Sequence, residues 1–210
     1  MGYEKELLDQ LIRRYGETPL ALGEEKKRGS AILVPFVVRN GELQIVFEVR
    51  SFDLPAQPGE VCLPGGRIER GESPEDAAVR ETAEELLIDS GKIRVLFPLD
   101  GMIGPGGRPV WSFVGLLDGY EDTFSDEEVD HVFTVPLSWF LEDEPERYET
   151  ELATIPGEDF PFERIPGGRD YPWRMRYYDV LFYHWPHENI WGLTAKVIRQ
   201  LTERIEELSG

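Results

Sequence analysis

Cysteine is almost absent from this chain, with Cys62 alone among 210 residues. One thiol cannot build an internal disulfide framework and suits a reducing compartment, so a cytoplasmic location is expected. The three histidines, His131, His184 and His187, share no metal-binding spacing with that cysteine. The strand contexts of His131 and Cys62 predict packing roles. Positive charge is also scarce, at 22 Lys and Arg against 41 Asp and Glu, a net charge of -19. Such a balance argues against general nucleic-acid or anionic-membrane binding and favours a divalent cation as partner. No apolar run approaches the roughly 20 residues of a membrane span. Met1-Gly2-Tyr3-Glu4-Lys5-Glu6 has neither the apolar stretch of a secretory leader nor a Ser or Thr at Glu6 for myristoylation, so neither is expected.

What is present is enough apolar material for one substantial core, 40% hydrophobic and 11% aromatic residues. One domain over 1–210 is expected, with a helical extension over 1–28, and a homodimer is compatible with the sequence. Within the extension, Leu7, Leu8, Leu11, Ile12 and Tyr15 recur at helical spacing. Ala31 to Val38 reads as a buried strand, Asn40-Gly41 as a two-residue hairpin turn, and Leu43 to Val49 as the return strand. Pro35 predicts an edge or a bulge. Leu54 to Gly71 is rich in Pro and Gly, a loop or short strand ending in a tight turn, and a helix is expected from Pro74 to Leu87. Strands at Ile93 to Leu99, Val110 to Leu117 and Val132 to Val135 would complete a mixed sheet, to which Leu181 to Tyr183 would return. Between them, 142–178 mixes acids, prolines and Pro166-Gly167-Gly168, and is expected to be a long excursion. Thr194, Val197, Ile198, Leu201, Ile205 and Leu208 share one face of a closing helix, which Trp191-Gly192 opens with its tryptophan buried. There is no internal repeat or low-complexity tract.

The chemistry concentrates around the middle helix. Ser73 suits the N-cap, Pro74 the first helical position, and Glu75 and Asp76 the positive end of the helix dipole. At roughly 100° per residue, Glu81, Glu84 and Glu85 fall within about 100° of one another, while Val79, Ala83 and Leu86 centre on the opposite side. Clustered like charges destabilise an isolated helix, so on a packed scaffold they invite a hard cation such as Mg²⁺ or Mn²⁺. An acidic helix face is more often simply solvated. Here Leu63-Pro64-Gly65-Gly66 precedes it, where the backbone can turn sharply and approach a metal or phosphate without Cβ obstruction. Arg80, four residues before Glu84, is placed to hold the acidic side chains.

These residues resemble the signature of the Nudix family: a glycine, five residues, a glutamate, seven residues, then Arg-Glu-apolar-any-Glu-Glu-any-Gly-apolar. Here it reads Gly66, Glu72, Arg80-Glu81, Thr82, Glu84-Glu85, Leu87 and Ile88. Thr82 stands where the pattern wants an apolar residue and Leu87 where it wants glycine. Leu87 predicts that the helix runs on to Ser90, with Gly91 as a left-handed cap. The resemblance implies an α/β/α sandwich with a mixed central sheet that hydrolyses a diphosphate linkage. Glu81, Glu84, Glu85 and the Gly65 carbonyl would hold Mg²⁺ or Mn²⁺, supported by Gly66, Glu72 and Arg80. Water would attack one phosphorus without a covalent intermediate. The general base would be Glu81 or a carboxylate on a distant loop, Glu127 or Glu128, which makes Glu81, Glu85 and Glu128 the catalytic candidates.

Flanking residues are similar to the coenzyme A diphosphatase branch of that family. They are Arg50-Ser51, Leu54, Gly59, Val61 and Pro64-Gly65-Gly66 before the helix, then Glu128-Val129, Val132-Phe133, Val135-Pro136-Leu137 and Ile190 to Ala195. This implies a small-molecule substrate, coenzyme A or its thioesters, cut into adenosine 3′,5′-bisphosphate and a 4′-phosphopantetheine product. Pro55 stands where the branch usually has arginine, and Leu63 replaces a common phenylalanine. Three substrate phosphates need local cations, for which Arg50, Arg67, Arg174 and Arg176 are candidates, while Trp173 and Tyr177 could stack on adenine. The alternative substrates are ADP-ribose, a dinucleoside polyphosphate or a nucleoside triphosphate. A non-hydrolytic, nucleotide-sensing Nudix domain is disfavoured because all three helix glutamates are present.

Overall fold

The computed structural model describes residues 2–16, 29–104 and 107–209. Of the N-terminal extension, 17–28 therefore lies outside the described residues. The elements run α1 (Gly2–Tyr15), β1 (Ser30–Arg39), β2 (Glu42–Arg50), β3 (Val61–Cys62), β4 (Gly65–Arg67), α2 (Pro74–Glu85), β5 (Ile93–Pro98), β6 (Met102–Ile103), β7 (Pro109–Leu117), β8 (Val129–Pro136), α3 (Leu137–Glu142), β9 (Glu146–Leu152), β10 (Arg176–Trp185), β11 (Glu188–Trp191) and α4 (Gly192–Ser209).

Eight strands form a mixed sheet along β3-β2-β1-β7-β5, with β4 on β1, β6 on β7 and β8 on β2. β1 and β2 join through Asn40 and Gly41, whose φ angles of 55° and 81° are both left-handed, as a tight hairpin turn demands. Alternation along the central strands feeds two cores. Leu33, Val37 and Val46 pack with Ala77, Ala78 and Leu86 beneath α2. On the other face Val34, Phe36, Ile45 and Phe47 pack with Leu7 and Leu11 of α1 and Val197, Ile198 and Leu201 of α4. The result is an α/β/α sandwich. Each fully buried leucine in it contributes roughly 1.5–3 kcal/mol of burial energy.

Two strand expectations change. Pro35 lies inside β1, which has β7 on one side and β4 and then β2 on the other, and not at an edge. The absent N–H explains how this is tolerated. Leu33 donates to Pro64 O at 2.9 Å on the β4 side. By alternation, the Pro35 nitrogen faces that same side, at the seam where β4 has ended and β2 pairing has yet to begin at Phe36. Leu181 to Tyr183 does not rejoin the main sheet, because β10 is the middle strand of a second, three-stranded antiparallel sheet ordered β11-β10-β9. Its partner β9 arises within the 142–178 stretch, pairing Arg176 with Leu152 through Phe182 with Glu146. The small sheet shares the α4-side core through Leu181, Tyr183 and Ile190. Trp191 is 39% exposed, stacked on Phe182 rather than buried.

Candidate functional site

α2 starts where its residue types require. Ser73 adopts an extended conformation and its side chain accepts from the Asp76 amide, while its hydroxyl donates to Asp76 Oδ2 at 2.6 Å. The buried face of the helix is Ala77, Ala78, Thr82, Glu85 and, at its end, Leu86. This face is rotated from the expected one, since Val79 and Ala83 are only half-buried. Thr82 can occupy an apolar position because its hydroxyl donates to Ala78 O at 2.7 Å and needs no other partner.

The helix also ends earlier than expected. Leu86 is its C-cap, and Leu87 turns left-handed at φ 49°. Ile88 N–H then reaches back to Ala83 O at 3.2 Å, the long bond of a Schellman closure. Leu87 thus adopts the conformation for which the family pattern uses glycine. Gly91 has no positive φ and sits in a short 3₁₀ turn capped by Asp89. A tertiary contact outweighs leucine's helix propensity here: Thr123 Oγ1 donates to Leu86 O at 2.6 Å and the Ser125 amide to Glu85 O at 2.8 Å. Those bonds satisfy two orphan carbonyls and dock the loop that carries Glu128.

The three helix glutamates separate in depth. Glu84 projects outward, its side chain 61% exposed and 3.2 Å from Arg80. Glu81 lies half-covered, 2.9 Å from Arg80, with its carboxyl seated on Gly66 so closely that a Cβ there would meet Glu81 Cδ at 2.4 Å. Burial raises the Glu81 carboxyl above its usual range, against the pull of Arg80. Glu85 is buried and accepts from the Gly65 amide at 2.7 Å. Burial, with the negative charges of Glu128 and Glu81, pushes its carboxyl up to about 8, against the Gly65 hydrogen bond. Gly65 reaches this place because a side chain would collide with β1, a Cβ falling 2.3 Å from Ala31 O.

Arg80 organises the outer rim. Its Nε meets Glu72 Oε1 at 2.9 Å and one terminal nitrogen meets Glu72 Oε2 at 3.1 Å and Arg67 O at 3.0 Å. The paired hydrogen bonds hold the Glu72 carboxyl below its usual range. Glu128 is brought close enough for its charge to be felt by Glu81, Glu85 and Glu48, and both it and its neighbour Glu127 are exposed. Arg50, at the end of β2, donates weakly to Ala56 O at 3.4 Å and its positive field reaches Glu48 and Glu85. Arg67 is exposed on β4 and tied to Arg80 through its carbonyl. Arg174, Arg176 and Trp173 instead line an open cleft with Thr154, Tyr171 and Met175. Trp173 packs edge-on against Phe160 and Tyr171, at 5.7 and 5.0 Å, and Tyr177 is 57% exposed. His131 is not a packing residue. It bridges Asp130 at 2.8 Å and Glu188 at 3.0 Å, joining β8 to β11.

One participant has no place in the signature. Glu48 on β2 is 1% exposed, on the α2 side of the sheet. Its Oε2 is 3.8 Å from the Cys62 thiol, which donates to it, and its Oε1 has no hydrogen-bond partner among the described residues. Burial, then the charge of Glu85, holds its carboxyl well above the usual range. A lone charged residue within the apolar run Ile45-Val46-Phe47-Glu48-Val49 was the available sequence signal.

Do these residues suit a divalent cation? Glu48 and Glu85 are hard oxygen donors buried together, one oxygen of Glu48 lacking a hydrogen-bond partner among the described residues, and a pair of buried carboxylates is costly unless a cation or a proton intervenes. The donor chemistry fits Mg²⁺ or Mn²⁺. Among the described residues no three such side chains stand as a preformed ligand set. Glu81 is engaged by Arg80 and Glu85 by the Gly65 amide, so a cation would compete with those two contacts.

The family model of the NUDIX domain matches residues 27–156. The chain is 36% identical over 132 residues to the peroxisomal coenzyme A diphosphatase NUDT7 of Mus musculus, covering 62% of this chain and 55% of that protein. It is 28% identical over 179 residues to the mitochondrial Nudix hydrolase 15 of Arabidopsis thaliana, covering 82% of this chain and 56% of the other. Over 209 residues it is 26% identical to the Nudix hydrolase NudL of Shigella sonnei, covering 98% of each. The chain thus spans little more than half the length of the first two relatives. No described helix is long and apolar enough to cross a membrane.

Proposed function

This chain belongs to the Nudix family of hydrolases acting on diphosphate linkages, and from that premise we propose that its substrate is coenzyme A or an acyl-coenzyme A. The products would be adenosine 3′,5′-bisphosphate and the (acyl-)4′-phosphopantetheine. The observation that carries the reading is the run Arg50 to Gly66, which resembles the coenzyme A branch and directly abuts the carboxylate helix. The mouse relative named for that activity supports it.

In this reading Glu81, Glu84, Glu85 and the Gly65 carbonyl hold Mg²⁺ or Mn²⁺. When bound, the cation supplies charge neutralisation to the diphosphate and acidity to a water. Glu128, on its docked loop, would accept the proton that water loses as its oxygen attacks phosphorus and the bridging P–O bond breaks, with Glu81 as the other candidate base. Arg50 offers its guanidinium to a phosphate, with Arg67 as a second, outer cation. Glu72 and Arg80 fix the rim against which Glu81 rests.

The test is a substrate panel with product identification. Purified protein with Mg²⁺ or Mn²⁺ should release adenosine 3′,5′-bisphosphate from coenzyme A. Cleavage of ADP-ribose, a dinucleoside polyphosphate or a nucleoside triphosphate with coenzyme A untouched would remove the specificity and establish the runner-up. Pro55 is what keeps that runner-up, since it deletes a cation the branch usually carries beside the site.

A further inference from the structure

Glu48 is costly where it sits unless a cation or a proton meets it. It projects from β2 toward α2, opposite Cys62 in the β2–β3 register, and is 1% exposed. Oε2 takes a long thiol contact, 3.8 Å from Cys62 Sγ, and Oε1 has no hydrogen-bond partner among the described residues. A carboxylate in such a place is strongly disfavoured unless neutralised. What surrounds it increases that cost. From α2 it feels the negative charge of Glu85, and from the docked loop that of Glu128. The local cation, Arg50, spends its Nε on Ala56 O and offsets this only in part.

A well-packed strand position could hold Val or Thr at no such cost. Hard oxygens converging from two elements on one buried spot are the donors that Mg²⁺ and Mn²⁺ prefer, and a cation there would offset the cost. We propose that Glu48 is a further ligand of the divalent-cation site, reaching it from the sheet and holding a cation jointly with Glu85 from the helix. The cation site would then be clasped between β2 and α2 and not laid along the helix alone. This rests on the reading of the α2 glutamates as a cation site.

The experiment is calorimetric titration of Mn²⁺ into the full-length chain and its Glu48→Gln and Glu48→Asp variants, with circular dichroism to establish folding. Glutamine keeps the shape and removes the charge, whereas aspartate keeps the charge and shortens the reach. Expected are at least a tenfold loss of Mn²⁺ affinity, or loss of one equivalent, in Glu48→Gln, and an intermediate loss in Glu48→Asp. The rise in melting temperature on adding Mn²⁺ should shrink in the same order. Wild-type affinity and stoichiometry in both folded variants would overturn the role of Glu48 while leaving the α2 site standing. Failure of the wild-type chain itself to bind Mn²⁺ would overturn the site as a whole.

Discussion

Leu87 permits a test whose sign, not merely its size, is set by the backbone. At an ordinary helical position glycine is about 1 kcal/mol less stable than alanine. At φ 49° the order should invert. An L-residue in the left-handed region costs roughly 1–2 kcal/mol through Cβ crowding, whereas glycine pays about 0.5–1 kcal/mol in unfolded-chain entropy. Leu87→Gly should therefore be about 0.5–1 kcal/mol more stable than Leu87→Ala. Relative to wild type, both lose the packing of a side chain that is 60% exposed, so Gly should fall near wild type and Ala below it. In a chain of this size 1 kcal/mol corresponds to roughly 2–4 °C, and urea unfolding gives the difference directly. Alanine more stable than glycine would mean that residue 87 is helical in solution, as leucine's propensity suggests, and that the Schellman closure and the docking of Thr123 and Ser125 are wrong.

Three further outcomes follow from named contacts. Gly66→Ala places a methyl where the Glu81 carboxyl sits, 2.4 Å from Cδ, so Glu81 must swing away and kcat should fall by about tenfold or more with the fold retained; unchanged turnover would detach Glu81 from the chemistry. Arg80→Lys keeps the charge but cannot make the two-pronged contact with Glu72, and should cost about 1 kcal/mol in urea unfolding, a cost that shrinks when Glu72→Gln is already present and leaves only the contacts with Arg67 O, Glu81 and Glu84 to lose; an unchanged cost would refute it. For His131, burial lowers the imidazole but the hydrogen bonds to Asp130 and Glu188 outweigh it and raise it above its usual value. A raised folded value stabilises fully below the unfolded value of about 6.5 and is lost as pH rises through the folded one. His131 is 43% exposed, so screening reduces the effect to about 0.5 kcal/mol, seen as a melting temperature that falls slightly more between pH 6 and 8 in wild type than in His131→Gln; parallel curves would refute it.

Legibility followed the range of the interaction. The β1–β2 hairpin was readable because Asn40-Gly41 and two apolar strands lie within some twenty residues, and the start of α2 because Ser73, Pro74 and Asp76 act on their own neighbours. The small sheet was not. β9, Glu-Arg-Tyr-Glu-Thr-Glu-Leu, is exposed along nearly its whole length and resembles solvated loop, and its partner β10 begins only after residues 153–175 have passed. Pro35 misled for a related reason: proline rules concern whether a neighbour needs its N–H, and only the three-dimensional seam between β4 and β2 shows that none does.

The carboxylates show where a helical wheel stops being sufficient. The wheel put Glu81, Glu84 and Glu85 within one arc, and angle is all it measures. Depth depends on what packs above the helix, and the Gly65-Gly66 strand lies over one side of that arc. Glu84 is left in water, Glu81 is half-roofed by Gly66, and Glu85 is drawn beneath to the Gly65 amide. Once Glu85 is inside, the negative charges of Glu128 and Glu81 bear on it, and its own charge bears on Glu48 of the sheet, whose Oε1 has no hydrogen-bond partner among the described residues. The charge of Glu85 is thus felt by Glu48, 37 positions away in the chain and on another element. The electrostatic cost at this site therefore arises from the burial of Glu85 and Glu48 between helix and strand, more than from the count of acids on the helix.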